Sequence, residues 1–268
     1  MTLQEYQDIL FGILCVVDDI CKKNHIMYML HGGSMLGAVR NHDFIPWDDD
    51  VDIIVWQKDY ELLCAKLREQ LPQHLRIVTP NDLLPNFFDF VTRVQDIRYT
   101  VHEPAEEDLF YENKQNHAFI DIFQFVYSAN TKWQIKWIAL KHKILYGFGM
   151  GHRYRINSEK YTWIQKCQTK VLSSIGATID MGKILKWRNR LIHKQGKSPK
   201  RYCMSVNSPL RGIGIPYESE WYYDVCYMQF RNRQFPVPRG YDSHLTLQYG
   251  NYMVPDKGTG EYVKHFIE

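Results

Sequence analysis

Four aspartates, Asp48, Asp49, Asp50 and Asp52, stand between Trp47 and the apolar run Ile53, Ile54 and Val55. A β-branched run of this kind reads as a strand that belongs in a core. The chain must therefore fold so that concentrated negative charge ends up at the mouth of a buried strand. Side chains two apart in a strand face the same way, roughly 6–7 Å apart along the backbone, so Asp50 and Asp52 are expected to share a face while Val51 and Ile53 turn inward. Two carboxylates that close are compatible with folding when one keeps a proton or when a cation lies between them. Oxygen donors of this type favour magnesium or manganese over zinc. A solvated acidic turn, with Asp48 and Asp49 capping backbone groups, is the competing reading. The apolar strand directly after Asp52 weighs against it.

Upstream, "HIMYML" reads as a short buried strand that ends at His31, followed by Gly32, Gly33 and the helical "SMLGAVR". Glycines between a strand and a helix allow a tight turn whose amides point at whatever sits there, a phosphate included. A glycine pair alone is weak evidence, and its weight comes from its place just before the aspartates. Asp121, in "FIDIFQF", lies between Ile120 and Ile122, where a charge is costly unless paired or coordinated. It is the natural third carboxylate of a metal-assisted phosphoryl-transfer site, with a core aspartate bound to backbone amides as the alternative. Arg40 and Arg93 are each suited to clamping phosphate oxygens or to a salt bridge with one of the aspartates. His31 reads as a structural histidine before a general base. Trp47, Tyr241, Tyr249 and Tyr252 are able to box a quaternary ammonium by cation–π contact, although core packing is the simpler reading of each.

The rest of the chain frames this motif. Thr2 and Glu5 form a capping-box pattern ahead of apolar residues at helical spacing, which predicts a helix over 3–24. "DVDIIVW", "LRIVT", "FFDFVTRVQ", "YTVH" and "AFIDIFQFV" are predicted strands, and "KDYELLCAKLREQL" a helix ending at Pro72. The fold class is thus α/β (α+β), a mixed sheet with helices packed on it. From about residue 131 the texture turns helical and basic, with "SEKYTWIQKCQTKVLSSI" and "MGKILKWRNRLIHKQ" as two of its helices. We divide the chain into a catalytic core (1–130), a helical lobe (131–200) and a C-terminal segment closing over the core (201–268). The basic, tryptophan-bearing stretch from Lys132 to Lys143 suits an acidic membrane surface or an anionic glycan lipid, with an ordinary amphipathic helix packed on the sheet as the reading to prefer.

Composition closes off several classes. The 33 basic and 30 acidic side chains nearly cancel, which argues against nucleic acid as a partner. The six cysteines show no CxxC spacing and read as reduced, mostly buried thiols. With neither a signal-peptide pattern nor an apolar run of membrane-spanning length, a cytoplasmic protein is expected, with the inner face of the membrane as a peripheral location.

"HGGSMLGAVRNHDFIPWDDDVDI" resembles the signature of the LicD family, which includes phosphocholine transferases and is related to fukutin-type sugar-phosphate transferases. The resemblance continues through "VTRVQD", "IDIF" and "FPVPRGYDSHLTLQYGNYM" and is weakest in the helical lobe. It implies a nucleotidyltransferase-like fold, with Asp50, Asp52 and Asp121 as metal-binding and catalytic carboxylates for Mg2+ or Mn2+. Gly33 and Ser34 would hold the nucleotide's phosphates, and Gly32, Arg40, Trp47, Asp48 and Arg93 complete the expected substrate-binding set. Two departures stand out: Asn251 follows "YG" where an acid is usual, and the cysteine-rich zinc site of some fukutin-type relatives has no counterpart. The activity so implied is transfer of phosphocholine from CDP-choline to a hydroxyl of a cell-surface glycan, of the lipopolysaccharide or teichoic-acid kind, or of its lipid-linked precursor. Transfer of another phosphorylated polyol or of a nucleotidyl group is the enzymatic alternative. A catalytically silent protein that binds glycan or membrane is the non-enzymatic one.

Overall fold

The computed structural model describes residues 1–159, 161–207 and 212–255. Its first elements are α1 (Leu3–Lys23), β1 (Tyr28–Leu30), α2 (Gly32–Arg40), β2 (Asp52–Trp56), α3 (Gln57–Gln70) and β3 (Leu75–Val78). They are followed by β4 (Thr92–Asp96), α4 (Glu106–Phe110), β5 (Ala118–Ala129), α5 (Lys132–Gly149), α6 (Trp163–Ala177) and α7 (Met181–Gln195). β6 (Tyr202–Ser205), β7 (Tyr217–Glu218), β8 (Val225–Phe230), β9 (Arg233–Pro238) and α8 (Tyr241–Tyr249) complete the order.

The long strand β5 organises a mixed sheet. Its first half pairs parallel with β2 on one side and antiparallel with β4 on the other. Its second half takes β6 antiparallel, and β7 pairs with β6. β1 and β3 lie outside β2 and β4. The C-terminal segment therefore adds two strands to the main sheet, besides the separate hairpin of β8 and β9.

Alternation along the strands sorts the two faces. Ile53, Val55, Ile120 and Ile122 pack with Leu10, Ile13, Leu14 and Val17 of α1 in the largest core cluster. α1 forms as expected, because Thr2 and Glu5 close a capping box and its apolar stripe falls on one side. Ile54, Trp56, Phe123 and Phe125 face the opposite way, against Tyr217 and Tyr222. By the same alternation Asp52 and Asp121 belong to this second face.

Several expected elements differ. In "FFDFVTRVQ" only the last part is strand, because Phe87 and Phe90 leave the sheet to pack against Met150, Ile184 and Leu185 of the helical lobe. "YTVH" is not a strand; Val101 is buried through a loop whose amides bind Asn116 Oδ1. Helix α6 starts at Trp163, later than its sequence suggests, because Thr162 and Gln165 form the capping box there. α7 spans the expected stretch. The six cysteines are free thiols, but Cys167 is exposed and Cys15 and Cys226 are only partly covered.

Candidate active site

The acidic motif is held from three sides. Asp52 is the first residue of β2, and Asp50 lies two residues ahead of it in the connecting loop, so the strand does not extend back to Asp50 as the spacing suggested. From behind, Gln7 of α1 donates from Nε2 to the carbonyl of Asp48 at 2.8 Å. From the side, the amide of Asp52 donates to Ser34 Oγ at 2.9 Å and the amide of His31 donates to the Asp52 carbonyl at 2.9 Å. Ser34 is buried and spends its hydroxyl on fixing the strand rather than lining the cleft.

The two glycines lie inside the first turn of α2, not ahead of it. Gly32 has φ +52°, and a Cβ there would meet Asp52 Oδ2 at 2.9 Å. A Cβ on Gly33 would meet Asp48 Oδ2 at 2.4 Å. Their absent side chains let the start of α2 close onto the two carboxylates, where backbone N–H groups and the helix dipole favour negative charge.

Across the sheet, Asp52 is register partner to Asp121 on β5, and Asp121 is register partner to Arg93 on β4. Arg93 donates from Nε to Asp121 Oδ1 at 2.9 Å, from Nη2 to Asp89 Oδ2 at 2.7 Å and from Nη1 to Gln115 Oε1 at 2.8 Å. Burial opposes the charge of Arg93, but Asp89 and Asp121 outweigh it and hold the guanidinium above its ordinary pKa. Arg93 is thus an ion-pair partner of the acids, the second of its two expected roles.

Gly32, Gly33, Arg40, Trp47, Asp48, Asp50, Asp52, Arg93 and Asp121 all line one cleft of about 1080 Å³. Asp52 carries the strain: burial, then the carboxylates of Asp50, Asp121 and Asp48, push its pKa well above the usual range, with Arg93 only partly opposing them. Tyr249 is raised as well, by burial and then by Asp52, Asp48 and Asp50. A crowd of hard oxygen donors with one member forced towards protonation fits a divalent cation, which would relieve the repulsion. Among the described residues the acids do not already converge as a closed three-ligand cluster, so Asp50, Asp52 and Asp121 would have to turn towards a cation to hold it.

The cleft also contains residues outside the expected site set. Asp49 and Asp89 line it, and Arg153 enters from beyond α5, its Nε donating to the Phe88 carbonyl at 2.8 Å. Among the described residues neither Arg153 nor Arg40 forms an ion pair with a carboxylate; Arg40 donates to the Tyr252 carbonyl at 3.0 Å. Of the four aromatic candidates for a cage, Trp47, Tyr249 and Tyr252 line the cleft, while Tyr241 packs on the core. His31 also lines it, but burial and then His244 drive its pKa well down, and it packs edge-on against Phe123 and Phe125 as a neutral ring. A lone arginine such as Arg153 carries no local signal, since only the docking of the helical lobe brings it to the acids.

The family model described as "LicD/FKTN/FKRP, nucleotidyltransferase domain" matches residues 25–149, the span that holds every expected site residue. Over 260 residues the chain is 28% identical to the lipopolysaccharide cholinephosphotransferase LicD of Haemophilus influenzae, covering 94% of this chain and 92% of that protein. Over 103 residues it is 53% identical to the human ribitol 5-phosphate transferase FKRP, 37% of this chain and 17% of that much longer protein.

Proposed function

From the match of residues 25–149 to the LicD family model and the likeness to a LicD cholinephosphotransferase, we propose that the chain belongs to this family and transfers phosphocholine from CDP-choline to a hydroxyl of a cell-surface glycan or its lipid-linked precursor, releasing CMP. The coarser statement, a transferase of phosphate-bearing groups, is common to LicD and FKRP. The observation that carries the finer reading is the Asp52–Asp121 pairing at the floor of a cleft walled by Trp47, Tyr249 and Tyr252. Carboxylates and aromatic faces together suit a quaternary ammonium, and the start of α2 with Arg40 and Arg153 suits a pyrophosphate.

In this reading the acceptor oxygen bonds to the phosphorus of phosphocholine, the bond from that phosphorus to the bridging oxygen breaks, and CMP leaves. The acceptor's proton passes to Asp121 or Asp48. Arg40 and Arg153 hold and orient the donor's phosphates, and Arg93 keeps Asp121 in place. Magnesium, or manganese, held by Asp50, Asp52 and Asp121 would supply charge neutralisation at the pyrophosphate. A nucleotidyltransferase-type fold accords with the strand arrangement that places the acids, and a cytoplasmic location accords with a CDP-linked donor.

The 53% identity to a ribitol 5-phosphate transferase over 103 residues favours a second reading, transfer of a phosphorylated polyol. The purified protein and its Asp52→Asn variant, incubated with magnesium, a glycan acceptor and a panel of CDP-linked donors, separate the two. CMP release from CDP-choline, lost in the variant, is the expected result. Release from CDP-ribitol alone replaces the donor, and silence with every donor favours a non-catalytic glycan-binding protein.

A further inference from the structure

Charge is segregated along this chain. Residues 131–200 hold 16 of the 33 lysines and arginines but only two of the 30 acidic residues, a net charge of +14 set against −11 for the remainder. The first helix of that region, α5, carries Lys132, Lys136, Lys141 and Lys143 and no Asp or Glu. None of the four lysines forms an ion pair among the described residues.

The same helix exposes large apolar side chains. Trp133 and Trp137, one turn apart, are 67% and 51% exposed, with ring centroids 5.7 Å from each other, and Leu140 continues the stripe at 45%. These residues are not left over from core packing, because α5 has already buried its other face. Ile135 and Ala139 pack with Ile192, and His142 bonds Gln195 Oε1 at 2.9 Å. An indole-rich stripe flanked by lysines is the pattern of a helix lying in the headgroup layer of a bilayer, where the rings sit at the interface and the ammonium groups meet anionic lipid. No helix among the described residues is long and apolar enough to cross a membrane, so the contact is peripheral.

We propose that the N-terminal half of α5 docks on an anionic lipid bilayer. The C-terminal half of the same helix places Tyr146 in the wall of the cleft, about 14–20 Å along the axis from the two tryptophans. A hydroxyl presented at that height above a lipid anchor reaches the cleft while the protein stays on the surface. Only this last link rests on the phosphotransfer reading. A soluble polyanion would need the lysines and leave the tryptophans without a role.

Cosedimentation of the full chain with vesicles tests the surface without any donor or turnover. Vesicles of phosphatidylcholine with phosphatidylglycerol should bind it at least about tenfold more tightly than phosphatidylcholine alone. Trp133→Ala with Trp137→Ala should weaken binding by about tenfold or more, at an unchanged far-ultraviolet spectrum. Lys132→Glu with Lys136→Glu should do the same. Equal binding by the tryptophan variant, or no preference for anionic vesicles, overturns the proposal, and retention on heparin that ignores the tryptophans reassigns the face to a soluble polyanion. A protein that binds vesicles but releases no CMP defeats only the functional reading, and one that turns over but ignores vesicles defeats only the surface.

Discussion

Asp52 and Asp121 are register partners on adjacent parallel strands, so their carboxylates share one face of the sheet at neighbouring strand positions. Parallel neighbours lie about 4.8 Å apart, which fixes both groups at the cleft floor without any loop contributing. Replacing either by asparagine should lower CMP release by about 10²–10³-fold, the scale of losing one preorganised electrostatic contact to a developing charge. The circular dichroism spectrum should stay unchanged; a variant with full turnover would remove that residue from the site.

Asp52 also sets a pH dependence. Its folded pKa is raised by burial and by Asp50, Asp121 and Asp48, so the native state binds a proton that the unfolded chain has already lost. The cost of ionised Asp52 is absent below about pH 4 and grows as the pH rises from the ordinary aspartate value towards the raised one. Without divalent cations, Asp52→Asn should therefore raise Tm relative to the parent, by roughly 2–4 °C per kcal/mol relieved, and more at pH 7 than at pH 4. Subtracting the two melting series cancels the other carboxylates. A difference that shrinks with rising pH would contradict the assignment.

Added magnesium should narrow that gap. A cation that binds only the folded protein raises the Tm of the parent, while the asparagine variant, short of one ligand, should respond much less. Isothermal titration on both proteins reads the same difference directly.

The glycine pair is a close-approach device. Gly33→Ala would press a methyl group to 2.4 Å from Asp48 Oδ2, and Gly32→Ala adds a left-handed φ of +52° to a contact of 2.9 Å with Asp52 Oδ2. Each should cost about 1–3 kcal/mol in urea unfolding and impair donor binding. Gly12→Ala, inside α1 with open space around it, is the contrasting control and should stabilise by about 0.5–1 kcal/mol.

Arg93 holds Asp89 and Asp121 from a buried position. Arg93→Met leaves two carboxylates without their shared partner and should destabilise by about 3–5 kcal/mol. Arg153→Ala, by contrast, breaks no ion pair among the described residues and should mainly raise the KM for the donor, by about tenfold or more. Equal effects of the two substitutions on stability would contradict this division.

Much of the frame was legible because its signals are local. The capping box of Thr2 and Glu5, the helical stripe of α1, the alternation of β2 and β5 and the full span of α7 each depend on residues within a few positions of one another. The start of α2 was misplaced because a glycine with positive φ reads as a turn until Asp52 and Asp48 show why it begins a helix. Phe87 and Phe90 of "FFDF" left the sheet because a distant helical cluster outbid strand propensity.

By itself the sequence determined that acids must gather at the mouth of a buried strand, with glycines close by and a third aspartate stranded in an apolar run. Which acid meets which, that Arg93 serves Asp121 and Asp89 rather than phosphate, and that Arg153 and Tyr249 complete the cleft were decided only by the tertiary structure. Local composition specifies strands and helices, but strand order, register and the docking of the helical lobe arise from contacts between residues far apart in the chain, which no short window of sequence contains.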